Sequence, residues 1–183
     1  MNLPNKLTVA RMVLTPVFLF FFMADFIPYH FVIGLAVYVA GCITDFLDGK
    51  IARKYGLITV FGKLADPVAD KMLTTAALLV LMKYGFCSIY VVFIILTREF
   101  AVTSVRLAAA AQGVVIPANI WGKLKTVSQM VFTIAIMSGI AFNIAFLTSL
   151  VADVMMWITA ALAVVSGIIY IVNGVKLIDF DKK

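Results

Sequence analysis

Four aspartates, Asp45, Asp48, Asp66 and Asp70, fall within 26 residues of a chain of 183 that has only nine acidic side chains. Residues three and four apart share a helical face, so Asp45, Asp48, Gly49 and Ala52 at i, i+3, i+4 and i+7 form one stripe. It carries two carboxylates and two residues too small to obstruct a ligand. Asp66 and Asp70, at i and i+4, form a second stripe, with Gly62 one turn earlier and Ala65 and Ala69 beside them. Four like charges in otherwise apolar surroundings call for cations or a wet cavity. Hard divalent ions held by carboxylate oxygens meet that need, and two of them about 3.5–4 Å apart is the usual arrangement for phosphoryl chemistry. With neither Cys nor His expected near the aspartates, magnesium or manganese is favoured over zinc. Arg53 adds a fixed, bidentate donor for phosphate. The competing readings are a proton or divalent-cation path in a transporter, or structural ion pairs with Lys50, Arg53, Lys63 and Lys71.

The elements that must position these residues are membrane helices. The chain is 64% hydrophobic and 13% charged, far from the balance of a soluble domain, and reads as one polytopic all-α membrane domain over residues 1–183. Stretches of about 20 apolar residues, enough to cross a bilayer core, give six spans. They run over 12–27, 30–49, 65–84, 87–111, 121–143 and 150–174. The segment before the first, with Pro4 at a helix-start position, is expected to be a short interfacial helix that Pro16 kinks into the span. No small-x-small cleavage site follows the first apolar run, so it is expected to be retained. Turns are marked by Asp25 to Tyr29, Lys83 to Phe86, and Phe142 with Asn143.

Of the 15 Lys and Arg residues only Lys83 lies near that set of turns, which predicts both termini and the aspartates on the cytoplasmic side of a cell membrane. The net charge of +6 follows from that bias and implies no nucleic-acid partner. Cys42 and Cys87 have no metal-ligand spacing and form no disulfide framework. Transport would need polar groups in both halves of the membrane, whereas the outer halves carry only Asp25, His30, Lys83 and Asp153, all near loops.

The pattern Asp45-x-x-Asp48-Gly49-x-x-Ala52-Arg53, eight residues, then Gly62-x-x-x-Asp66-x-x-x-Asp70, resembles the full signature of the CDP-alcohol phosphotransferases, with no position departing from it. The resemblance implies a six-helix membrane fold, a homodimer, and two divalent ions, Mg2+ or Mn2+, held by Asp45, Asp48, Asp66 and Asp70. Asp70 would double as catalytic base. Asp48, Gly49, Ala52, Arg53 and Gly62 would receive the CDP-lipid, with Asn5 and Thr8 of the opening segment also touching it. The implied reaction is attack by an alcohol on the lipid-side phosphorus of a CDP-linked lipid, releasing CMP.

The acceptor must be read from other charges. Arg98, Arg106, Lys123 and Lys125 gather towards the cytoplasmic ends of spans four and five and are expected to bind an acceptor phosphate. Against this, Arg106 shares a face with Glu99, though two turns, about 10 Å, is long for a direct pair. Leu3-Pro4-Asn5-x-Leu7-Thr8-x-x-Arg11, Thr97-Arg98-Glu99 and Gly122-Lys123-x-Lys125-Thr126-x-x-Gln129 are similar to the phosphatidylglycerophosphate synthases of bacteria within that family. That likeness implies CDP-diacylglycerol as donor and sn-glycerol 3-phosphate as acceptor. A phosphatidylinositol-phosphate synthase or a cardiolipin synthase remains the alternative within the family.

Overall fold

The structure is a computed structural model. It describes residues 3–55, 60–114, 116, 117 and 119–177, with the side chains of 3, 4, 48–50, 52–55, 60, 61, 63 and 64 outside that description. All regular structure among the described residues is helical: α1 (Leu3–Met23), α2 (His30–Tyr55), α3 (Val60–Lys83), α4 (Ile89–Ala111), α5 (Ile120–Ala141) and α6 (Leu150–Val175). Four helices contain stretches long and apolar enough to cross a membrane, Asn5–Met23, His30–Leu47, Ile120–Ala141 and Leu150–Val175. The two others, α3 and α4, have the length but carry Asp66, Asp70 and Lys71, and Arg98, Glu99 and Arg106, along it. The protein is thus a multi-pass membrane protein, and α3 and α4 carry charged side chains along their length.

The turns form where the sequence marks them. Tyr29 and Asn143 adopt φ of 59° and 55°, and Gly85 adopts 79°. Ser88, Asn119 and Ser149 cap the N-termini of α4, α5 and α6, each accepting a hydrogen bond from the backbone N–H two residues on. The opening segment differs from expectation: α1 is one continuous helix from Leu3, with no separate interfacial helix. Between Pro4 and Pro16 there is no breaker, and Pro16, already inside the helix, removes only one backbone donor. The helix also ends at Met23 rather than at 27, and α3 begins five residues before the apolar run at 65.

Packing divides the bundle. α1 lies chiefly against α2 and α3, whereas α6 lies against α4 and α5, and α5 returns to α2 to join the halves. The larger core is built from Phe18, Phe22, Tyr38, Leu78, Leu81, Ile95, Met137 and Met156. A second, smaller one gathers Val102, Ala109, Ile116 and Tyr170 between α4 and α6. The α1–α2 contact is close because Gly34 lies under the Phe22 ring: a Cβ there would sit 2.5 Å from Phe22 Cδ2. That ring is fully buried and packs on Phe18, Phe31 and Tyr84 with centroids 5.4, 5.3 and 6.2 Å away, so it cannot swing aside without moving the cluster. Gly34→Ala is expected to cost about 1–3 kcal/mol through overpacking. The measurement is thermal unfolding of detergent-solubilised protein, in which Phe22→Leu on the Gly34→Ala background should recover part of the loss.

Candidate active site

The first half of α1 presents Asn5, Thr8, Arg11 and Thr15, all buried, at spacings of three, three and four. Apart from the exposed Lys6 the rest of the helix is apolar, and this polar stripe meets Asp45 of one aspartate stripe and Asp66 of the other. The Arg11 side chain has no exposed surface, and its Nη1 lies 2.6 Å from Asp45 Oδ1 on α2. Thr8 Oγ1 donates to Asp66 Oδ1 on α3 at 2.5 Å, and Thr15 Oγ1 donates to the Arg11 carbonyl at 3.0 Å. One helix therefore holds a carboxylate from each aspartate stripe. Asp45 keeps 45% of its side-chain surface exposed despite the ion pair, so it remains open to a second partner.

Asp45 and Asp70 line one cavity of about 50 Å³ together with Tyr38, Cys42, Leu73, Thr74, Glu99, Lys125, Thr126, Gln129 and Met130. Its volume is on the scale of an ion with a water or two. The wall comes from α2, α3, α4 and α5. On α2 the lining residues Tyr38, Cys42 and Asp45 follow spacings of four and three, which continue the Asp45–Asp48 stripe one turn and more towards the N-terminus. On α3, Asp70 and Thr74 are likewise one turn apart, and the Thr74 hydroxyl donates to the Asp70 carbonyl at 3.0 Å. Extending the Asp45 stripe by two helical turns and the Asp70 stripe by one would have found Tyr38, Cys42 and Thr74 in the sequence.

Cys42 corrects the expectation that no thiol lies near the aspartates. The donors here nevertheless remain mainly oxygen: Asp45, Asp70, Thr74, Thr126 and Gln129, a set that suits a hard divalent cation. Among the described residues no three His, Cys, Asp or Glu side chains converge closely enough to hold a metal ion. The carboxylate of Asp48, and the side chains of Ala52 and Arg53, lie outside the described residues, as do those of Lys50 and Lys63. Gly62 and Asp66 are described, with Gly62 buried and Asp66 next to Thr8.

Of the four basic residues expected to bind an acceptor phosphate, Lys125 lines the cavity and is almost wholly buried. Asn119 caps α5 six residues earlier, accepting from the Trp121 N–H at 2.7 Å, and so fixes where that helix turns Lys125 inward. Arg98 sits behind it, 11% exposed, and donates from Nη1 to Glu99 Oε1 at 3.0 Å. Lys125 Nζ donates to the same oxygen. Arg106 and Lys123 are exposed and do not line the cavity. The partner of Glu99 is thus not Arg106 two turns along its own helix but Lys125, 26 residues away on another. Lys71 donates to the Thr103 hydroxyl and to the Glu99 carbonyl on α4 rather than pairing with the neighbouring aspartates.

A second hollow, about 730 Å³ and almost entirely apolar, lies between α1, α3 and α4. It is lined by Leu19, Pro67, Val68, Met72, Leu79, Phe100 and Leu107, with Thr15, Lys71, Thr75, Ala76 and Thr103.

A polar cavity walled by one aspartate from each stripe and a buried lysine, inside a bundle of membrane helices, can be compared with known proteins. The family model for CDP-alcohol phosphatidyltransferase matches residues 1–165. A CDP-diacylglycerol–glycerol-3-phosphate 3-phosphatidyltransferase of Bacillus subtilis is 40% identical over 179 residues, covering 91% of each chain. One of the same name from Rickettsia bellii is 38% identical over 170 residues, covering 92% of this chain and 93% of its own. A probable phosphatidylglycerophosphate synthase of Mycobacterium tuberculosis is 46% identical over 132 residues, 71% of this chain and 63% of its own. The aspartate stripes, the helical bundle and these matches agree, and the chain belongs to the CDP-alcohol phosphatidyltransferase family.

Proposed function

We propose that this protein transfers the phosphatidyl group of CDP-diacylglycerol to sn-glycerol 3-phosphate, giving phosphatidylglycerol phosphate and CMP. The observation that carries this reading is the cavity in which Asp70 and Lys125 share one wall, under the near full-length likeness to enzymes of that name. A carboxylate beside a buried ammonium suits an acceptor that is both an alcohol and a phosphate ester.

The free hydroxyl of the acceptor attacks the lipid-side phosphorus of the donor. The new phosphorus–oxygen bond forms as the bond to the CMP oxygen breaks, and Asp70 accepts the hydroxyl proton. Lys125 holds the acceptor phosphate, with Arg98 adding positive charge behind it and the exposed Arg106 and Lys123 favouring approach of the anion. Gly49, Ala52 and Gly62 leave space for the cytidine nucleotide, Asp48 and Arg53 contact it, and Asn5 and Thr8 close over it from α1. Asp45, Asp48, Asp66 and Asp70 would hold two divalent cations, Mg2+ or Mn2+. When bound, these neutralise diphosphate and leaving-group charge. What the chain itself contributes is placement: Arg11 and Thr8 fix Asp45 and Asp66 before any ligand arrives. All six helices are proposed to span the membrane with both termini and the site on the cytoplasmic face, and the protein to act as a homodimer.

Three outcomes follow from this assignment. CMP release in detergent micelles should occur with glycerol 3-phosphate, and not with inositol phosphate or phosphatidylglycerol in its place; no turnover with glycerol 3-phosphate would sink the acceptor assignment. Asp70→Asn should lower turnover by about 10²–10⁴-fold, the range for loss of a general base. Metal-dependent thermal stabilisation by CDP-diacylglycerol should survive that change, and normal turnover would remove Asp70 from the base role. Chelation of divalent ions should abolish CMP release, with recovery on adding Mg2+ or Mn2+; full activity in excess chelator would count against the metal site.

A further inference from the structure

Three acidic side chains line the cavity, Asp45, Asp70 and Glu99, and only Glu99 has no part in the reaction above. Both of its cationic partners use one oxygen: Arg98 Nη1 and Lys125 Nζ donate to Oε1. The other oxygen, Oε2, has no partner among the described residues and, unlike Arg98 Nε, is not buried. Glu99 is 21% exposed at its side chain and faces the same space as Asp70.

Neighbouring helices impose this one-sided pairing. The stem of Arg98 lies against Gly167 of α6, where an added Cβ would come within 2.9 Å of Arg98 Cγ. Its guanidinium passes Gly122 of α5, where a Cβ would meet Nη2 at 3.4 Å. Lys125 arrives from α5, almost wholly buried. Two missing side chains and a buried lysine thus bring both cations to Oε1 and leave Oε2 a bare anionic acceptor. A carboxylate oxygen repels a phosphate, so its complement is a neutral O–H donor.

We propose that Glu99 is a specificity-determining residue whose Oε2 accepts a hydrogen bond from an acceptor hydroxyl that does not react. The site then selects a phosphorylated polyol: the phosphate meets Lys125, one hydroxyl attacks, and a second is held by Glu99. This rests on the acceptor reading above and adds to it which part of the acceptor is sensed.

The test compares glycerol 3-phosphate with 3-hydroxypropyl phosphate, which keeps the phosphate and the primary hydroxyl and lacks the middle one. With CDP-diacylglycerol and Mg2+, the wild-type protein should favour glycerol 3-phosphate in kcat/KM by about 10–100-fold, the value of one charge-assisted hydrogen bond. Glu99→Gln should reduce that preference to under about threefold, since the charge is lost and one end of the amide no longer accepts. If Glu99 merely held Lys125 and Arg98 in place, Glu99→Gln would weaken both acceptors in proportion, and an unchanged ratio overturns the proposal. Arg106→Ala provides an arm independent of how well Glu99→Gln folds: this exposed cation does not touch Glu99, so its loss should depress both acceptors and keep the wild-type ratio, whereas collapse of the ratio there assigns the selectivity to Arg106 instead. Absence of CMP with either phosphate in the wild type removes the acceptor reading and this inference together. Wild-type turnover with no preference between the two removes this inference alone.

Discussion

A guanidinium with no exposed surface, enclosed in a bundle of apolar helices, is the constraint on which the site depends. Arg11 is tolerable there because Asp45 meets it at 2.6 Å, and Asp45 is held by the same contact. Removing charges from water costs several kcal/mol per ion, a penalty that a single well-formed pair only partly offsets. Such a pair contributes little net stability, and it joins α1 to α2 at a defined point along both helices. The Thr8–Asp66 hydrogen bond repeats the arrangement against α3. α1 thereby orients a carboxylate on each of α2 and α3.

The second half of the bundle solves a similar problem with the signs reversed. Lys125, almost fully buried on α5, is neutralised by Glu99 of α4, which also takes Arg98. The three side chains tie α4 to α5, while Lys71 ties α3 to α4 through Thr103 and the Glu99 carbonyl. Glu99 is thus approached from its side chain by one lysine and from its backbone by another. The polar contacts link α3, α4 and α5 around the cavity where apolar packing between α3 and α4 is sparse.

Much of this was legible in the residues. Helical spacing continues to Tyr38 and Cys42 above Asp45 and to Thr74 above Asp70, and apolar run length finds six helices, though α1 starts nine residues before the expected span. Tyr29, Gly85 and Asn143 adopt left-handed turns inside the stretches where Pro, Gly and Asn pointed to them. What was hidden depends on which helices become neighbours. The pairings Arg11–Asp45 and Glu99–Lys125 join residues 34 and 26 apart, and no periodicity within one helix announces them. Gly167 is similar: nothing in the sequence of α6 marks it until Arg98 of α4 is seen lying across it. The continuous α1 was missed for a local reason, because a polar stripe at an apolar helix's start resembles an interfacial segment when the stripe's partners are unknown.

Asp70 and Lys71 are consecutive, yet Asp70 lines the polar cavity and Lys71 the apolar hollow. The same divergence recurs on α4, where Glu99 lines the first space and Phe100 and Thr103 the second. These two helices therefore form a partition, polar on the surface facing the cavity and largely apolar on the surface facing the hollow. Along this wall one step in the sequence changes the environment: Asp70 to Lys71, and Glu99 to Phe100, pass from the polar space to the apolar one.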